Sequence, residues 1–157
     1  MKSSKKIGLI LSLLFLVAQS GCQQGDLVPL REIPQNPSYA NFPLMSTKWQ
    51  LVGFGDSKDK IRKAERLSPI SYTVVFTNNG LIEGHTASNY AAGEYALSSD
   101  NVGLTISRFF SMTEANEVLD GPLFLQTMPR VNSYSISEKG LKLNYDRKKY
   151  LLFQPVD

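Results

Sequence analysis

From Thr47 onward the chain is cut by turn-forming residues into short runs, several of which alternate apolar with polar side chains. Runs of about 4–8 residues with a period of two are the mark of half-buried strands, and they are too brief for stable helices. Thr47 to Phe54 places Trp49 and Leu51 on one face, and Tyr72 to Phe76 is β-branched and aromatic. Asn78-Asn79-Gly80 then offers a turn with positive φ, and Leu81 to Thr86 returns as the hairpin partner. Glu94 to Leu97 and Leu104 to Phe109 predict two further strands separated by a turn over Ser98 to Gly103. Ser133 to Ser137 and Gly140 to Tyr145 form a hairpin about Glu138-Lys139-Gly140, and Tyr150 to Gln154 closes the chain. So many short strands leave exposed edges unless the sheet curls on itself. The expected fold is therefore mainly β with a helix (α+β), a small antiparallel β-barrel or strongly curled sheet with the helix over an opening.

Helical signals are few. Thr113 has the character of an N-cap, with Glu114 and Glu117 in the turn that follows, so a helix is expected over 113–119. A second helical piece is expected from Leu123 to Met128, ending at Pro129. Lys58 to Leu67 spaces Ile61, Ala64 and Leu67 at helical intervals, and reads either as a short helix or as a charged loop.

The N-terminus is of a different kind. Lys2, Lys5 and Lys6 precede an uncharged leucine-rich run from Ile7 to Ala18, and Gln19-Ser20-Gly21 lead to Cys22, the layout of a cleaved export signal. The run falls short of the roughly 20 apolar residues that a spanning helix needs. Gln19-Ser20-Gly21-Cys22 resembles a bacterial lipobox, with Gln19 where an aliphatic residue is usual, and implies lipid on the Cys22 thiol. Cys22 is the only cysteine of 157 residues, so no internal disulfide can form. Three of the seventeen basic residues lie in the leader, which leaves fourteen against fourteen acids behind it. A chain with no cationic surplus gives no support to nucleic-acid binding. Residues 1–21 are thus expected to be a lipoprotein signal peptide, 22–43 a proline-rich tether or wrapping loop and 44–157 one globular domain. Pro29, Pro34, Pro37 and Pro43 keep the tether extended, and its second half is expected to lie on the domain.

The order of these features resembles the META or HslJ-like domain of bacterial envelope lipoproteins. The shared elements are Trp49-Gln50-Leu51 in the first strand and Phe76 to Gly80 at the first hairpin. Gly84, Asn89, Gly93 and Tyr95 match the central segment, Leu104 and Ile106 the next strand, and Thr113 a threonine that opens a helix. Leu141-Lys142-Leu143 and Leu151-Leu152-Phe153 match the closing strands. The chain departs from the family at two common cysteines, where it has Ser88 and Asn116. The resemblance implies a fold and an envelope location, in a group associated with envelope stress, drug tolerance and adhesion, and implies no reaction.

No catalytic, cofactor-binding or metal-binding residues are expected. His85 is the sole histidine, no acidic cluster at ligand spacing accompanies it, and no nucleophile-elbow pattern frames Ser88. Gly53-Phe54-Gly55 lacks the spacing and lysine of a phosphate loop and reads as a turn. Asn89 and Tyr90, with Gly93 close by, suggest a sharp turn in which the asparagine side chain ties its own backbone. The expected role is a non-enzymatic envelope lipoprotein, held to a membrane by lipid and acting on an envelope protein partner. The alternative is a carrier or sensor of a small apolar ligand inside the barrel.

Overall fold

The computed structural model describes residues 26–56 and 58–157. The signal peptide expected over residues 1–21, and Cys22, lie outside the described residues. The described chain is a mainly β fold with one short α-helix and a nearly closed antiparallel barrel.

Ten strands form one sheet. They are β1 (Leu27–Pro29), β2 (Lys48–Gly55), β3 (Lys60–Lys63), β4 (Thr73–Phe76), β5 (Leu81–His85), β6 (Tyr90–Leu97), β7 (Leu104–Ser111), β8 (Val131–Ser137), β9 (Gly140–Tyr145) and β10 (Lys149–Pro155). Eight follow the order β7-β6-β5-β4-β2-β10-β9-β8, while β3 pairs with β2 and β1 pairs with β3. The path closes where Gly103 bridges Ser133 and the Tyr134 amide donates to the Val102 carbonyl at 3.1 Å. The expected hairpins form where their turns require them, and Gly80 carries the positive φ of +82° that favours glycine.

Helix α1 (Gly121–Thr127) continues into a 3₁₀ turn at Met128–Arg130. This matches the second helical piece read from the sequence, started two residues earlier by Pro122, whose missing N–H costs nothing in a first turn. The helix expected over 113–119 does not form. Thr113 donates its hydroxyl to the Asn89 side chain and so caps nothing, Leu119 takes a φ of +52°, and the segment crosses the barrel end as a loop. Residues 114–116 lie exposed, so no apolar stripe repays the cost of a helix nucleus there. Lys60 to Lys63, read as part of a helix or loop, is instead a strand because β2 and β1 supply hydrogen-bond partners on its two edges.

Trp49, Leu51, Phe76, Leu104, Phe124 and Phe153 are fully buried and fill the barrel. Trp49 donates its indole N–H to the Leu44 carbonyl at 3.0 Å, which satisfies the one polar atom of a large core side chain. A second core lies outside the barrel wall, where Ile33 packs with Ile61, Tyr150 and Leu152. The chain from Leu27 onward is therefore part of the fold. Docking starts before the second half of the proline-rich segment, because β1 pairs with β3 and the Asn36 amide donates to Glu138.

Candidate functional site

Three loops converge at one barrel end: the 64–72 excursion between β3 and β4, the 86–89 turn between β5 and β6, and the 112–120 loop between β7 and α1. Asn89 joins the second of these to the third. Its backbone closes the 86–89 turn, with the Thr86 amide donating to the Asn89 carbonyl at 2.8 Å and the Asn89 amide donating to Thr86 Oγ1 at 2.9 Å. Its buried side chain reaches outward rather than back to its own backbone, which corrects the turn read from the sequence. Nδ2 donates to the Ala115 carbonyl at 2.8 Å and to Glu117 Oε1 at 2.6 Å. Oδ1 accepts from Thr113 Oγ1 at 2.6 Å and from the Ala115 amide at 3.0 Å. One amide thus uses both its donor and acceptor sides to hold the 113–117 loop.

Thr86 Oγ1 adds a hydrogen bond to Glu117 Oε1 at 2.5 Å. Asp120, just before α1, takes a bidentate bond from Arg62 at 3.0 and 2.8 Å and a third from the Glu65 amide at 2.9 Å. The Arg62 guanidinium also stands over the Phe54 ring, 4.6 Å from its centroid. Beneath these acids lies Tyr72, fully buried with a φ of +58° and a hydroxyl that makes no well-formed hydrogen bond among the described residues, only an approach to the Asp120 backbone. Burial first, then the charges of Asp120, Glu117 and Glu65, push its phenol up to about 12.

The other sequence-singled residues take structural positions. Gly84 lies where β5 crosses β4 so closely that a methyl group on it would sit 1.9 Å from the Thr73 carbonyl oxygen. Gly93 occupies the bulge at which the β6–β7 register shifts, inside a β6 that begins at Tyr90 rather than at the expected Glu94. Tyr95 packs edge-on against Phe76 and donates its hydroxyl to the Thr77 carbonyl at 2.6 Å. The structure brings Asn89 and Thr113 together, while Trp49, Leu51, Gly84, Gly93 and Tyr95 belong to the wall and its core.

His85 lies next to this end, with Nδ1 3.5 Å from Thr73 Oγ1 and its ring edge-on to Tyr90. No hydrogen bond joins it to Ser88 or to a carboxylate among the described residues. A shallow cleft of about 260 Å³ is lined by Leu67, Ile70, His85 and the 86–89 turn. A second, of about 220 Å³, lies on the outer face of β5–β7 between Leu81, Phe110 and Met112, beside the Arg108–Glu94 ion pair. Among the described residues no group of three acidic, histidine or cysteine side chains converges at metal-binding distance. Nor is any helix of those residues long and apolar enough to cross a membrane. Residues whose part in this end the sequence reading missed are Thr86, expected to end a strand, Glu117, expected in a helix, and Asp120; polar character was their only signal.

This is the architecture of a small curled-sheet barrel domain, and solved structures share it. A DUF4847 family protein from Bacteroides vulgatus superposes with a TM-score of 0.55 at 13% identity, over 71% of this chain and 93% of that one. A protein from Burkholderia xenovorans superposes with a TM-score of 0.57 at 18% identity, over 78% of this chain and 90% of that one. At such identities the likeness is one of fold alone. No protein-family model matches the sequence. No curated protein matches it either.

Proposed function

We propose that this protein is a lipid-anchored accessory of a bacterial cell envelope, related in kind to META or HslJ-like domains, and that it acts by contact rather than by turnover. The observation that carries the reading is the distribution of apolar side chains. The barrel interior is occupied by fully buried aromatics and aliphatics, while Phe110 on β7 and Met112 just beyond its end stand more than half exposed. A chain built to carry an apolar ligand keeps space inside; a chain built for contact keeps apolar surface outside. The lipobox-like leader supports the anchor, since a diacylated thiol holds far more firmly than a single myristoyl chain. Envelope placement follows from that anchor.

Two measurements test the two halves of the reading. Cys22→Ser is expected to abolish incorporation of labelled palmitate and to release the protein from the membrane fraction; unchanged retention refutes the anchor. Native mass spectrometry of the same variant, purified without detergent, is expected to give the bare chain mass. Reproducible extra mass that vanishes on denaturation would establish carriage of a ligand in place of contact.

A further inference from the structure

The tether read from the sequence spans residues 22 to 43, and such a length, if extended at about 3.5 Å per residue, would let the domain stand roughly 70 Å from its anchor. The fold removes almost all of that freedom. Asp26 is already bound, its carbonyl accepting from the Lys63 amide at 3.1 Å, and from Leu27 the chain is a strand of the sheet. Four residue steps remain between Cys22 and Asp26, which at the same rise bring the lipidated residue within about 14 Å of that point.

Asp26 is not placed at random on the barrel. Lys63 is the last residue of β3, and the 64–72 excursion leaves from it. That excursion carries Leu67 and Ile70, respectively 61% and 52% exposed, onto the cleft beside the 86–89 turn. Asn89 and Arg62 in turn hold the 112–120 loop, which adds exposed Val118 and Leu119 to the same end. Leu27, at the start of β1, is exposed as well. The shortest reach of the anchor and a rim of large apolar side chains therefore coincide.

We infer that this loop end is a membrane-seating surface: with Cys22 acylated, Leu67, Ile70, Val118 and Leu119 rest in the headgroup and upper acyl region of the bilayer that holds the lipid. The occupant is the lipid surface rather than a protein because the anchor leaves little clearance for anything else at this end. Apolar side chains presented to an interface bind it in proportion to the apolar area they bury, and a covalent anchor supplies the local concentration that makes even a small area effective. Seated in this way, the opposite end, with the hairpin turns around Gly80 and Val102, faces away from the bilayer.

The inference rests on acylation of Cys22, and the test separates the two. The full-length protein is expressed with one added cysteine, Leu67→Cys, Leu119→Cys or Val102→Cys, purified after processing, and weighed intact. Because acylation blocks the Cys22 thiol, the added thiol alone takes a nitroxide label. The labelled protein is reconstituted into vesicles of phosphatidylethanolamine and phosphatidylglycerol, and collision with oxygen is compared with collision with a water-soluble nickel chelate. The expected result is an acylated mass, with oxygen favoured severalfold at 67 and 119 and the nickel reagent favoured at 102. An acylated mass with all three positions equally accessible to nickel overturns the seating while the anchor stands. Labels at 67 and 119 shielded from both reagents would place a second copy of the chain there, which also overturns it. A mass without acyl groups removes both the anchor and the argument for seating.

Discussion

Replacing Asn89 by Asp swaps the donor Nδ2 for an oxygen and leaves the acceptor side intact. Two hydrogen bonds are lost, to the Ala115 carbonyl and to Glu117 Oε1, the latter 2.6 Å away in the native chain. Two carboxylates then face each other. With charge centres about 4 Å apart and an effective dielectric of about 20, their repulsion is on the order of 4 kcal/mol, an upper bound because either group can take up a proton. Allowing for that, Asn89→Asp is expected to lower stability by about 2–4 kcal/mol at neutral pH. Asn89→Ala loses all four bonds, but Thr113 and Ala115 are exposed, so water replaces part of them and about 1.5–3 kcal/mol is expected. Urea unfolding followed by the fluorescence of the single tryptophan, Trp49, reads both values. The Asp variant should regain stability as the pH falls and one carboxyl protonates, whereas the Ala variant should not. Hydrogen exchange adds a local reading: the Ala115 amide, bonded to Asn89 Oδ1, should lose protection in the Ala variant and keep more of it in the Asp variant. An Asp variant within about 0.5 kcal/mol of the native chain would refute the assignment of Nδ2 as donor to Glu117.

Tyr72→Phe removes a buried hydroxyl that makes no well-formed hydrogen bond among the described residues, so stability at pH 7 is expected to stay level or rise slightly, in contrast to the usual cost of trimming a core residue. In the native chain the Tyr72 phenol, ordinarily near 10.0, is raised to about 12, so its contribution is fully present below pH 10 and is lost as the pH climbs to about 12. That loss amounts to roughly 2–3 kcal/mol, and the Phe variant should show a correspondingly shallower alkaline decline in urea melts taken across this window. Ile33→Ala is expected to cost about 2–4 kcal/mol, because the side chain closes the second core over Ile61, Tyr150 and Leu152. A change below about 0.5 kcal/mol, the usual size for an exposed position, would return the 26–43 segment to the status of a linker.

Strand positions and the β class were legible because their causes are local. Alternation in Ser133 to Tyr145, the β-branched run at Tyr72 to Phe76 and the positive φ required at Gly80 are properties of a few neighbouring residues. Helix α1 was legible for the same reason, through the stop signal at Pro129, although its start at Gly121 lies two residues before the one expected. The helix expected after Thr113 failed because its signal, a cap followed by acids, is identical whether the threonine serves its own chain or a side chain 24 residues away. The Lys60–Lys63 strand was hidden by a charged sequence whose pairing partners lie in β1 and β2.

The loop end belongs wholly to the second category. Nothing near Asn89 indicates that its amide will bind residues 113–117, nor anything near Arg62 that it will hold Asp120, 58 residues on. The sequence by itself determined where the chain turns, which faces of the strands are apolar and that one thiol follows a basic, leucine-rich run, since each depends on spacing along the backbone. The tertiary structure alone decided that the proline-rich segment docks from Leu27 and that three distant loops share one end. Those outcomes depend on strand order and barrel closure, which couple residues through space.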